Sequence, residues 1–243
     1  METALIVQAR MTSTRLQGKV LKEVLGRPLL HYQVERLRRV RLQDGLIIAT
    51  TFNETDEPLV AFCKERKIPY YRGTENDVLA RYLETAETFD VANIVRITSD
   101  CPLIDPEIID RVIGTFLDNR EKADYVANTL ERTYPRGLDC EIFSCELLRE
   151  IEKLASDSSE REHVTSYIYK HPEKYRLMNV AGEEDLSSYR WTVDTEEDFE
   201  LIRRILTELY PVNPEFSTRD CLELLERHPD WNDINRHIRQ KTG

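Results

Sequence analysis

Three cations, Arg10, Arg15 and Lys19, stand in one short segment with Thr12, Ser13 and Thr14 and without an acidic residue. Guanidinium and ammonium groups beside small hydroxyls suit a phosphate-rich anion. In a chain of formal net charge −11 such a loop needs a reason, and the alternative is an ordinary solvated loop. Two better-known phosphate loops do not match. A G-x-x-x-x-G-K-[ST] loop would need Gly at Ser13 and Ser or Thr at Val20, and a dinucleotide fingerprint would need three spaced glycines where only Gly18 stands. Two carboxylates draw attention further on. Asp100, ahead of Pro102, either caps a turn or holds a cation, whereas Asp105 before Pro106 is a helix cap. Asp194 precedes Thr195-x-x-Asp198, a capping box that has no need of an acid at position 194.

The elements that must position these groups follow from the apolar pattern. Ala4-Leu5-Ile6-Val7 is short, unalternated and rich in branched residues, which suits a central parallel strand buried on both faces. The cationic loop then lies outside the strand's carboxyl end, where open α/β sheets bind ligands. Helices are expected over 28–40, 56–67, 75–89 and 106–119, alternating with strands at 45–51, 68–72 and 93–98, so that Asp100 sits at a strand's carboxyl end. This rhythm predicts an α/β fold, a doubly wound, mostly parallel sheet with right-handed crossovers. From Asp124 it changes to strands at 125–128, 140–143 and 175–180 and helices at 145–154 and 160–169. Residues 128–180 are therefore expected as an inserted smaller subdomain within a single domain spanning 1–243. Beyond it, an amphipathic helix follows Thr195, another lies near 219–226, and the polar run 228–241 carries no evident chemistry.

Composition limits the remaining classes. No apolar run approaches the roughly 20 residues of a membrane span, and the first run lacks the basic segment of a signal peptide, so a cytoplasmic protein is expected. Five cysteines without a C-x-x-C argue against a disulfide framework or a zinc site. The acidic balance argues against nucleic-acid binding, which rests on basic surface.

Gln8-Ala9-Arg10 followed by Ser13-Thr14-Arg15-Leu16-Gln17-Gly18-Lys19-Val20-Leu21 resembles the N-terminal signature of cytidylyltransferases that make CMP-activated acidic sugars. The motif is most like that of the 3-deoxy-manno-octulosonate enzymes, less like that of the acylneuraminate enzymes, and the whole chain resembles the spore-coat polysaccharide branch called SpsF-like. The resemblance covers roughly residues 1 to 210. It implies a Rossmann-like nucleotide-diphospho-sugar transferase architecture and transfer of CMP from CTP to an acidic sugar, with release of pyrophosphate. Ala9, Arg10, Arg15 and Lys19 would bind the nucleotide and Arg72 the base. Asp100 in D-x-P-L and Asp194 in V-D-T-x-x-D would hold Mg²⁺, which transfer from a triphosphate needs to neutralise developing charge. Lys19, Arg10, Asp100 and Asp194 would form the catalytic set. Thr98 stands where better-known members carry Gln, a departure that bears on the choice of base. Pro135-Arg136-Gly137-Leu138-Asp139 and Arg161-Glu162-His163-Val164-Thr165 match motifs of the spore-coat branch, with Arg136, Asp139, Arg161 and His163 as sugar-binding candidates. The second of these motifs also reads as the solvated first turn of a helix. A homodimer is expected through 128–180, both from the resemblance and because Tyr134, Leu138, Val164, Tyr167, Ile168 and Tyr169 look too apolar for a small lobe to bury. The rival readings are a nucleotidyltransferase of this fold that uses another NTP or a non-sugar acceptor, and a non-catalytic nucleotide-sugar binding module.

Overall fold

A computed structural model describes residues 1–239. The first half runs β1 (Thr3–Gln8), a hairpin of β2 (Glu23–Val24) and β3 (Arg27–Pro28), α1 (Leu29–Leu37), β4 (Gly45–Thr51), α2 (Glu57–Glu65), β5 (Tyr70–Gly73), α3 (Val78–Thr88) and β6 (Asn93–Thr98). There follow α4 (Pro106–Asp118), β7 (Tyr125–Ala127), β8 (Glu141–Ser144), α5 (Cys145–Leu154), α6 (Ser158–His163) and α7 (Ser166–Lys170). The chain then forms β9 (Leu177–Asn179), α8 (Glu196–Leu209) and α9 (Thr218–Arg227).

Seven strands form one sheet in the order β5-β4-β1-β6-β8-β7-β9. Strand β1 pairs in parallel with β4 on one side and β6 on the other, so the chain leaves β1 outward through β4 and β5 and returns to its opposite edge. That reversal is the switch point at which open α/β sheets leave a crevice beyond their carboxyl ends. Alternation along the buried strands divides the core. Leu5, Val7, Leu46, Ile48, Val95 and Ile97 pack with α1, α2 and α4, while Ala4, Ile6, Ile47, Ala49 and Ile94 pack with α3 and α5. A third cluster joins α8 and α9 to Trp191, Val193 and the first turn of α1.

The change of rhythm after Asp124 appears in the pairing. Strand β8 lies antiparallel to both β6 and β7, and β9 is parallel to β7. The strands of 128–180 thus extend the main sheet, and α5 packs beside α3 in the same core. This corrects the expectation of an uncovered apolar lobe: Tyr134, Leu138, Val164 and Ile168 are buried within the chain, and of the six residues only Tyr169 is exposed.

Two helix boundaries also differ from expectation. The helix expected from Glu75 begins at Val78, because the Asp77 carboxylate accepts the Ala80 N–H and caps it. The single helix expected over 160–169 is broken at Val164, whose φ of 56° is rare for a β-branched residue. The break lets Val164 and Ile168 both enter the core while the Thr165 hydroxyl reaches Glu141. The five cysteines are buried and unbridged. Among the described residues no helix is long and apolar enough to cross a membrane. The last residues of the polar run, 240 and 241, lie outside the described residues.

Candidate active site

The loop after β1 is built to present Lys19. Met11 O accepts from the N–H groups of Ser13 and Gly18, closing the loop on itself. The buried Asp56 carboxylate accepts the Met11 N–H at 2.7 Å and hydrogen bonds from Thr50 and Thr51, fastening the loop to the end of β4. Gly18 adopts a φ of 67°, a left-handed conformation that suits glycine, and caps a short turn whose first residue is Lys19.

The two carboxylates, distant in sequence, are brought together by the backbone. Val193 N donates to Asp100 O at 2.8 Å, laying the segment before α8 against the loop after β6. Lys19 Nζ then lies 3.2 Å from Asp100 Oδ2 and 2.8 Å from Asp194 Oδ1. Asp194 Oδ2 meets Arg15 and Arg190, each at 2.9 Å. Burial opposes the charge of Lys19, but the two carboxylates outweigh it and raise its pKa. Burial likewise opposes ionisation of Asp100, but Lys19 together with hydrogen bonds from Thr98 and Cys101 lowers its pKa to about 2. Two carboxylate oxygens converging on a single ammonium form the kind of donor pair that a divalent cation shares with phosphate oxygens and water. No cluster of three or more His, Cys, Asp or Glu side chains forms a closed metal site among the described residues.

Two cavities meet at this point. A chamber of about 330 Å³ is lined by Ala9, Arg10, Arg15, Lys19 and the ends of β1 and β6. A larger one of about 690 Å³ extends over β8 and is lined by Arg132, Arg136, Asp139 and Glu141. Arg96, Thr98, Asp100 and His163 line both. A polar first chamber rich in cations and a second with mixed charge suit a polyphosphate and a polyhydroxy partner respectively.

Not every expected residue faces these cavities. Arg161 is held by Asp77, Glu152 and two backbone carbonyls, and lines neither cavity. Arg72 is similarly engaged by Glu57 and the carbonyls of Thr51 and Asn53, and lines neither. In this structure each guanidinium is taken up by acceptors on neighbouring segments. Arg10 lines the first chamber and pairs with Glu75, which Thr12 and Asn53 also contact. Asp139 is gripped bidentately by Arg132, leaving Arg136 as the candidate cation with no carboxylate partner among the described residues. His163 stands where the chambers meet.

Sequence reasoning missed two cations. Arg81, on α3, is 1% exposed and lines the first chamber; burial lowers its pKa, and Arg10 adds to the effect. Arg96, on β6, pairs with Glu141, which also accepts from Tyr125 and Thr165. Neither occurs in a motif, and only the facing of α3 and β6 toward the cleft reveals them.

A model of the family described as cytidylyltransferase matches residues 4–223. The spore coat polysaccharide biosynthesis protein SpsF of Bacillus subtilis (strain 168) is 36% identical over 232 residues, covering 93% of this chain and 94% of that protein. The 3-deoxy-manno-octulosonate cytidylyltransferase of Pelobacter propionicus is 33% identical over 122 residues, 49% of this chain and 46% of that one. A solved cytidylyltransferase from Leptospira borgpetersenii serovar Hardjo-bovis superposes with a TM-score of 0.91 at 33% identity, covering 100% of both chains. On this extent of match, the chain belongs to the cytidylyltransferase family.

Proposed function

We propose that the protein transfers CMP from CTP to a small acidic sugar, or a related hydroxyl acceptor, in the biosynthesis of a cell-surface or spore-coat polysaccharide. The observation that carries this reading is the position of Lys19 Nζ between Asp100 and Asp194, where the cation-lined chamber opens into the larger one. Asp100 and Asp194 fit a Mg²⁺ ion as its protein ligands, and the ion would neutralise charge developing at the α-phosphate. Arg10, Arg15 and Arg81 would hold the triphosphate, and Lys19 would donate to its oxygens. The acceptor would occupy the second chamber, its acidic group facing Arg136 and its hydroxyls within reach of His163 and Asp139.

In the reaction, the acceptor's hydroxyl oxygen bonds to the α-phosphorus and the bond to the bridging oxygen breaks. Pyrophosphate departs and the hydroxyl proton passes to solvent. With a pKa of about 2, Asp100 acts by its charge and not as a base. Catalysis of this kind rests on positioning and electrostatics and requires no covalent enzyme intermediate. A homodimer belongs to the same proposal and rests on the family resemblance.

The test is pyrophosphate release from each NTP with Mg²⁺ and a panel of sugar acids. Release with CTP and at least one sugar acid is expected. Release with another NTP alone would reassign the base, and release with none would overturn the reaction.

A further inference from the structure

The segment after α9 showed no chemistry in its sequence, and it lies beyond residue 223, where the match to the family ends. It nevertheless sends a buried side chain toward the candidate catalytic carboxylates. Asn235 is 3% exposed, and its Nδ2 donates at 2.9 Å both to the Arg190 carbonyl and to Asp198 Oδ1. Both partners are acceptors, so the amide orientation is fixed by chemistry.

Asp198 is the hub of this arrangement. It is fully buried and accepts from Arg190 Nε at 2.9 Å, Arg190 Nη2 at 3.0 Å and the backbone N–H groups of Asp194 and Thr195. It therefore does more than close the capping box of α8. Arg190 Nη2 in turn donates to Asp194 Oδ2 at 2.9 Å. Asp194 is held at its backbone by Asp198 and at its carboxylate Oδ2 by Arg190 beside the solvent-facing Arg15, which leaves Oδ1 directed at Lys19. A guanidinium fixed between two carboxylates aligns both planes, and the hold weakens if either end turns.

We propose that Asn235 is a positioning residue for Asp194, acting through Asp198 and Arg190, so that the C-terminal segment is part of the machinery that orients the catalytic carboxylate. The inference rests on the reaction proposed above. Residues that support a ligand in this way commonly cost 10- to 100-fold in metal affinity or activity when lost.

The experiment compares wild type with Asn235→Ala, with the isosteric Asn235→Asp, which sets a carboxylate against Asp198, and with Ile234→Ala. Ile234 packs against the core cluster of α8 and α9, so its truncation loosens the segment without touching the hydrogen-bonded chain. Asn235→Ala is expected to lower kcat roughly 10-fold and Asn235→Asp up to roughly 100-fold, with the KM for CTP within about twofold of wild type. Ile234→Ala is expected to lower Tm at least as much while leaving kcat within about twofold. Unchanged kcat in both Asn235 variants, or an equal loss in Ile234→Ala, overturns the proposal. If wild type transfers no nucleotidyl group, the reaction fails, and the positioning claim is then decided by crystal structures. Arg190 leaving Asp194 Oδ2 in Asn235→Asp supports it, and an unchanged Arg190–Asp194 contact overturns it.

Discussion

Lys19, Asp100 and Asp194 balance one another, and the consequence of removing each follows from its neighbours. Asp100→Asn and Asp194→Asn preserve side-chain volume but remove a charge from the place where a metal and the α-phosphate would sit. Each is expected to fold and to lose roughly 100- to 1000-fold in kcat, checked by steady-state pyrophosphate release beside a thermal melt. Near-normal activity in both would remove the metal assignment. Acid stability adds a second test. The folded pKa of Asp100 is about 2 against an ordinary 3.8, so its ionised form contributes stability that is complete above the ordinary value and lost as pH falls through about 2. The advantage of wild type over Asp100→Asn in unfolding free energy from urea melts, on the order of 2 kcal/mol at neutral pH, should therefore shrink by pH 3. Lys19→Ala should lower kcat, because Lys19 would meet charge that grows in the transition state, whereas Arg10→Ala should chiefly raise the KM for CTP. Equal losses confined to KM in both would make Lys19 a simple binder. Lys19 was legible because a cationic loop is unusual in an acidic chain, whereas Asp100 and Asp194, two among many carboxylates, stood out by their positions at a strand's end and ahead of a capping box and by the motifs around them. The pairing of Arg161 was not legible: its partner Asp77 lies far away in sequence, and nothing local reveals the contact.

Among the elements, the segment from Arg136 to Asp139 depends most on one residue. Gly137 has a φ of 102°, and a Cβ there would lie 2.6 Å from the Trp191 carbonyl carbon and 2.7 Å from Thr192 N. The close approach accompanies the bridge between Arg136 and Arg190, which sets the second chamber's wall against the strip carrying Asp194. Backbone cannot yield as a flexible side chain would. Gly137→Ala should cost about 3 kcal/mol and lower activity through both chambers, as read by urea unfolding and turnover. A stability loss under about 1 kcal/mol would show that the strip can shift. Element boundaries were legible where capping chemistry marks them, as at Thr195, whose side chain accepts the Asp198 N–H as expected. They were illegible at Val164, where neither glycine nor proline signals the turn and only burial of Val164 and Ile168 requires it.

At the scale of the molecule, the parallel half of the sheet was readable from its alternation of strands and helices, while the order of the later strands was not. Strand β8 comes after β7 in sequence yet lies between β6 and β7, an arrangement fixed by long-range pairing that no local pattern encodes. It has a thermodynamic consequence. Residues 128–180 supply β8, through which β7 and β9 join the rest of the sheet, and α5 shares a core with α3 and β1. Neither part can lose its structure without exposing buried strand edges and apolar surface of the other, which couples their unfolding. We therefore expect one calorimetric transition, with calorimetric and van't Hoff enthalpies in agreement, near the roughly 0.7 kcal/mol per residue typical of globular chains at about 60 °C. An isolated fragment of 128–180 should remain unfolded by circular dichroism, since β8 would lack β6 and α5 would lack α3. Two resolved transitions, or a folded fragment, would establish the segment as an independent unit.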